Sequence, residues 1–271
     1  MAQHPQHPQQ PAGTPATDEA GAQPGCSICR DGMGCAFDFA FAYQPIVDLA
    51  HGRIFAHEAL VRGPQGESAA SVLDRIDEGN RYNFDQACRV RAIETACDLG
   101  LSDREGERLS INFLPHAVYR PEVCIQTTLQ VARRRGLATH SIIFEVTEGE
   151  RIEDGPWFAQ ILREYRKQGF LTAIDDFGAG YAGLRLLADF QPDLLKLDMD
   201  LVRGVDRQPA RQAIARAAIR LAEDMHIALV AEGVETAGER DFLLAQGVTL
   251  FQGHLFCKAQ FGALAEPRAW H

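Results

Sequence analysis

The chain has 271 residues, 46 % hydrophobic and 24 % charged, which suits one large domain or two small ones and excludes wholesale disorder and fibrous architectures. Its 27 basic and 37 acidic residues leave a net charge of −10, which argues against a broad binding surface for nucleic-acid polymers or for anionic membranes. No run approaches the roughly 18–20 consecutive apolar residues that span a bilayer.

Residues 1–25 are rich in Gln, Pro, Ala and Gly and lack the basic start and apolar run of a signal peptide. Such a segment cannot bury enough apolar surface to order itself, so 1–35 reads as a disordered leader that ends in a cysteine cluster. Cys26, Cys29 and Cys35, in CSICRDGMGC, suit a thiolate metal site or regulatory redox thiols, or simply reduced thiols in a flexible leader; no fourth ligand is evident. The seven cysteines are odd in number and mostly dispersed through apolar segments, which predicts reduced thiols and a cytoplasmic location rather than a disulfide framework.

From residue 36 the chain alternates β-rich and helical patterns. Strands are predicted at 41–49, 54–61, 108–115, 141–148, 170–177, 193–199, 227–233 and 250–256. Segments of helical period lie between them: SVLDRIDE, FDQACRVRAIETACDLG, EVCIQTTLQVARRRG, WFAQILREYRKQG, RQAIARAAIRLAEDM and AGERDFLLAQG. Gly100, Gly136, Gly169 and Gly247 stand where left-handed helix caps are wanted. Eight strand–helix units predict a parallel sheet closed into a barrel. Only AHGR separates the first two strands, too short for a parallel crossover, so these two should form an antiparallel hairpin. The expected fold is α/β, a modified (β/α)8 TIM-like barrel with one antiparallel strand over 36–265, followed by a short tail at 266–271.

In such a barrel the chemistry sits at the C-terminal ends of the strands. There the sequence places Glu58, Asn112, Glu145, Glu148, Asp175, Asp176, Lys196, Glu232, Glu235 and Gln252. Glu58, Glu145, Asp175, Asp176 and Glu232 are carboxylates in otherwise apolar strands, where isolated burial is costly and mutual repulsion raises the pKa. Divalent cations resolve that conflict, and carboxylates with an Asn amide are the oxygen donors that Mg²⁺ and Mn²⁺ prefer. Asp175 and Asp176 are adjacent, so both face ligands only if the strand pleat ends there. Lys196 is either a structural ion-pair partner or the group that orients an attacking water, and Arg62, four residues beyond Glu58, is placed to clamp a phosphate oxygen.

Two other patterns lead elsewhere. Gly178, Gly180 and Gly183 spell a dinucleotide-binding GxGxxG, but Asp175 and Asp176 just before them would repel a pyrophosphate. The DFG at 176–178 has no companion kinase motif.

The ordered motifs EALVR at 58–62, Asn112, ExTE at 145–148, DDFGAG at 175–180, KLD at 196–198, EGVE at 232–235 and QG at 252–253 resemble the EAL-domain family of cyclic di-GMP phosphodiesterases. The resemblance implies hydrolysis of cyclic di-GMP to linear pGpG with two Mg²⁺ or Mn²⁺ ions. By position, Glu58, Asn112, Glu145 and Asp175 would bind one ion and Asp175, Asp176 and Glu232 the other. Lys196 would hold the nucleophilic water and Gln252 would support it. Glu148 would fix the loop after the fifth strand, which would mediate a homodimer, and Glu235 would support the neighbouring ligands. Gln44 and Arg62 would contact substrate. The sequence departs from the family pattern at Ala179, His254 and Ala259, which touches affinity and dimer coupling more than the chemistry. The rival reading is a catalytically silent cyclic di-GMP receptor or partner-binding protein, and a regulatory protein partner is compatible with either.

Overall fold

The computed structural model describes residues 35, 37–147, 155–180 and 183–266. The hairpin forms as expected: β1 (Ala40–Asp48) runs antiparallel to β2 (Arg53–Arg62), with Gln44 opposite Glu58. Then β3 (Arg108–Asn112), β4 (Ile142–Thr147), β5 (Leu171–Phe177), β6 (Leu194–Leu197), β7 (Ala228–Ala231) and β8 (Leu250–Phe251) add in parallel, in chain order. The barrel closes where β8 meets β1 antiparallel through Val47–Phe251 and Asp48–Leu250. β1 is therefore the one reversed strand of a TIM-like α/β barrel.

The last predicted strand, 250–256, is cut to two residues. At Gly253 a Cβ would lie 2.2 Å from the Val234 carbonyl oxygen, so the chain passes too close to its neighbour for a side chain and turns away. It returns as β9 (Gln260–Phe261), absent from the sequence prediction, which pairs with Ala42 and Tyr43 of β1 beyond the point where β8 stops.

Helices α1 (Ala69–Leu73), α2 (Arg81–Asp98), α3 (Pro121–Arg135), α4 (Gly155–Lys167), α5 (Gly183–Asp189), α6 (Met199–Val202), α7 (Pro209–Asp224) and α8 (Ala237–Ala245) link the strands. The predicted SVLDRIDE helix survives only as α1. Past it, Asp77 accepts from the amides of Gly79 and Asn80, and Asn80 accepts from that of Asp77, so side chains take over the backbone and end the helix. The four predicted cap glycines all have φ between 71° and 95°. Short helices α5 and α6 are unforeseen.

The main core lies between barrel and helices. A second, smaller cluster comprises Ile46, Ala56, Ile143, Ala173, Leu194, Val230 and Leu250. Each residue of it on a parallel strand stands two positions before a predicted site residue, and Ile46, on the reversed strand, stands two after Gln44. Residues two apart share a strand face. The apolar cluster and the polar mouth are thus successive layers of one face.

Candidate active site

Lys196, 1 % exposed, is the hub of the mouth. Its Nζ lies 2.7 Å from Glu232, 2.9 Å from Glu145, 3.0 Å from Asp175 and 3.3 Å from Glu58. Strand ends β2, β4, β5 and β6, with the residue just past β7, supply these five groups. Gln252, just past β8, donates to Glu58 at 2.8 Å, and Asn112, at the end of β3, donates to the other oxygen of Glu58 at 3.0 Å.

The pleat breaks where two adjacent acids require it. The register of β5 against β6 shifts between Ile174 and Phe177, and Asp176 adopts a left-handed φ of 54°. For a residue that is not glycine this is strained backbone, kept where the surrounding structure holds it. Asp175 and Asp176 consequently both line the same cleft of about 260 Å³, with Gln44, Glu58, Glu232, Glu235, Gln252 and His254 among its other walls.

The electrostatics follow from burial and crowding. Burial, reinforced by the charges of Glu58 and Asp175, pushes Glu145 up to about 8. Asp176 rises to about 6 through burial and the charge of Asp175, and Glu232 is driven well above the ordinary carboxylate range, chiefly by burial. Burial alone would lower the Lys196 pKa. Four surrounding carboxylates outweigh it and hold the ammonium well above its usual range.

The donor set fits divalent cations. Glu58, Glu145 and Asp175 bring ligand atoms within 4.8 Å of one another, and so do Asp175, Asp176 and Glu232, with Asp175 shared by both sets. All are carboxylate oxygens, which suit hard ions and offer nothing particular to zinc or copper. The five acids exceed the single ammonium by four charges, and two divalent ions match that excess.

Other predicted residues are placed differently. Gln44 donates to the Cys257 carbonyl at 3.3 Å in the cleft wall. Arg62 donates to the Val61 carbonyl at 2.7 Å and borders a neighbouring, mainly apolar pocket of about 320 Å³ rather than the acidic cleft. Glu235 lines the cleft, but its carboxylate pairs with Arg203 at 2.6 Å. Cys35 is a half-buried free thiol packed against the core. Glu148, Cys26 and Cys29 lie outside the described residues.

Two residues absent from the sequence prediction belong to this structure. Ser110, fully buried, donates to Glu145; its signal was its position two before Asn112, on one strand face. Glu239 accepts from the amides of Gly204, Glu235 and Thr236 and forms a capping box with Thr236 at the start of α8, which fixes the loop that follows Glu232. The sequence TAGE carries that T-x-x-E signature.

Residues 36–259 match the EAL domain model. The blue light- and temperature-regulated antirepressor BluF of Escherichia coli K12 is 35 % identical over 224 residues, covering 83 % of this chain and 55 % of BluF. The probable cyclic di-GMP phosphodiesterase PdeB of the same organism is 31 % identical over 226 residues, covering 82 % of this chain and 43 % of PdeB. The chain thus spans about half the length of these curated relatives. A crystal structure of a standalone versatile EAL protein from Vibrio cholerae O395, in its c-di-GMP-bound form, superposes with a TM-score of 0.82 at 48 % identity, covering 87 % of this chain and 98 % of that one.

Proposed function

The chain belongs to the EAL-domain family, and from that premise we propose that it is a metal-dependent phosphodiesterase that hydrolyses cyclic di-GMP to linear pGpG and so lowers the level of this second messenger. The observation that carries the reading is the ring of Glu58, Glu145, Asp175 and Glu232 around Lys196, with Asp176 beside it. Support also comes from PdeB, named as a probable enzyme of this class, and from the Vibrio protein, solved with c-di-GMP.

In this mechanism Glu58, Asn112, Glu145 and Asp175 would hold one Mg²⁺ or Mn²⁺ ion, and Asp175, Asp176 and Glu232 would hold the other. When bound, the ions lower the pKa of water and offset charge on the phosphodiester. Lys196, an ammonium with three N–H donors, would orient the attacking water and stabilise the charge left as that water loses its proton. Gln252 holds Glu58 in place while offering a second polar group to the water. Gln44 and Arg62 contact the substrate, Glu235 with Arg203 stiffens the cleft wall, and Glu148 fixes the loop after β5, through which a homodimer would form. Cys26, Cys29 and Cys35 are proposed regulatory thiols, and a protein partner a proposed regulator.

The deciding experiment assays purified protein with Mg²⁺ or Mn²⁺ and identifies the product, beside Glu58→Ala. Metal-dependent pGpG from the wild type and none from the variant is expected. A second reading, a cyclic di-GMP receptor without turnover, is favoured by the resemblance to an antirepressor. Tight binding with no pGpG from the wild type at any metal concentration would establish it instead.

A further inference from the structure

A second buried charge cluster joins α2 to the ends of β3 and β4 and to α4. Arg89 and Asp85, one helical turn apart, pair at 2.8 Å with both side chains essentially inaccessible. The Arg89 guanidinium donates to the Tyr165 hydroxyl at 2.6 Å and lies 5.1–5.3 Å from the ring centres of Phe113, Phe144 and Tyr165. Asp85 turns its other oxygen to the Leu114 amide at 2.9 Å. Phe113 and Leu114 directly follow Asn112, Phe144 directly precedes Glu145, and the Phe113 amide donates to the Glu145 carbonyl at 3.1 Å.

An apolar side chain would fill this space without the desolvation that a buried ion pair suffers. What the pair adds is direction: a carboxylate fixed by Arg89 grips one backbone amide, and a guanidinium fixed by Asp85 packs on the ring beside it. Asn112 needs that grip. It stands exposed at the end of β3, and among the described residues its side chain is hydrogen-bonded to Glu58 alone.

We infer that Asp85 and Arg89 are positioning residues that hold Asn112 in register with Glu58 and Glu145 for cation binding. The inference rests on the proposed role of Asn112 as an ion ligand. Its test uses Mn²⁺ binding by the full chain, measured by calorimetry, beside melting temperature. Asp85→Leu/Arg89→Met removes the grip on Leu114 while leaving no unpaired charge, and is expected to weaken Mn²⁺ binding about tenfold, the scale of losing a group that orients a ligand. Arg89→Met leaves Asp85 without the group that fixes it and should weaken Mn²⁺ binding severalfold, whereas the conservative Asp85→Asn keeps an oxygen acceptor for the Leu114 amide and should melt lower while binding Mn²⁺ within about twofold of wild type.

Affinity that follows melting temperature across the variants, or a double variant that binds like wild type, overturns the inference. If the double variant does not fold, the single variants still decide: affinity lost in Arg89→Met and kept in Asp85→Asn is expected, and equal affinities in the two overturn the inference. A wild type that binds no Mn²⁺ removes the ion-site reading and this inference with it, whereas a wild type that binds and hydrolyses while the double variant and Arg89→Met bind unchanged removes this inference alone.

Discussion

Two buried charge clusters lie on either side of the barrel wall, and they differ in balance. Behind the wall one guanidinium meets one carboxylate, with a hydroxyl, an amide and aromatic rings around them, and the Arg89 Nε has no hydrogen-bond partner among the described residues. At the mouth one ammonium meets four carboxylates, with Asp176 as a fifth acid nearby. A balanced pair needs no further charge. An unbalanced cluster stays folded only by holding protons or by taking cations from solvent, and Glu145, pushed up to about 8, holds protons through neutral pH. Excess charge of one sign, rather than burial of charge as such, distinguishes a binding site from a structural tie.

The largest effect falls on turnover. Glu58→Ala removes a carboxylate of the first ligand set and the acceptor for Asn112, Gln252 and Lys196, and should reduce cyclic di-GMP hydrolysis by on the order of 10³-fold. Arg89→Met should keep turnover at saturating Mn²⁺, and comparable losses in the two variants would erase the distinction between the clusters.

Stability sharpens it next. Removing one partner from a buried ion pair costs about 3–5 kcal/mol, so Lys196→Met and Arg89→Met should both lower the melting temperature of metal-free protein at pH 8. Mn²⁺ should restore Lys196→Met by more than it stabilises wild type, because the variant's carboxylates lack the ammonium that pairs with them. Arg89→Met should gain no more than the wild-type increment. Thermal unfolding with and without Mn²⁺ reads both, and equal responses would count against an imbalance at the mouth.

A smaller effect follows from pH. Glu145 has a folded pKa of about 8 against an ordinary 4.5, so between these values the folded metal-free protein holds more protons than the unfolded chain. Stability from this group is therefore lost as pH rises from about 4.5 to 8. Lys196 has the same sign in another window: its contribution is fully present below its ordinary 10.5 and is lost only as pH rises beyond it, so it leaves the trend between 4.5 and 8 unchanged. A cation at one hundred times its dissociation constant adds about 2.7 kcal/mol, and proton competition at the acids should make the Mn²⁺-induced rise in melting temperature larger at pH 8 than at pH 6. A rise that is flat or inverted across that range would contradict proton-held carboxylates.

Much of the site was legible because strand period and barrel topology convert position in sequence into place at the mouth. Glu58, Glu145, Asp175, Lys196, Glu232 and Gln252 each stand two residues past a buried apolar residue, a pattern visible without coordinates. Even the break in the pleat at Asp175 and Asp176 followed from two adjacent acids needing one cleft. What escaped prediction depends on contacts remote in the chain. The short β8 is set by the approach of Gly253 to Val234, and β9 by its pairing with β1, some 218 residues earlier. Arg62 shares a strand face with Glu58, yet it turns to its own neighbour's carbonyl, a rotamer choice that periodicity does not encode. Asp85 and Arg89 read as an ordinary i, i+4 helix pair, and only the fold reveals that their helix faces Asn112.

The mildest perturbation tests how the mouth is braced on its other flank. Thr236 caps α8 by accepting from the Glu239 amide, and the Glu239 carboxylate answers at the amides of Glu235, Thr236 and Gly204. Thr236→Ala should cost about 1 kcal/mol, the usual loss for a side-chain cap. Glu239→Ala removes three acceptor contacts, including the one that ties this loop to Gly204 past β6, and should cost more while also weakening Mn²⁺ binding through Glu232. Denaturant unfolding and Mn²⁺ calorimetry separate the two variants. Should both lose stability equally with Mn²⁺ affinity untouched, the loop's brace serves the helix and not the site, and the apparent symmetry with the Asp85–Arg89 clamp on the opposite flank would fail.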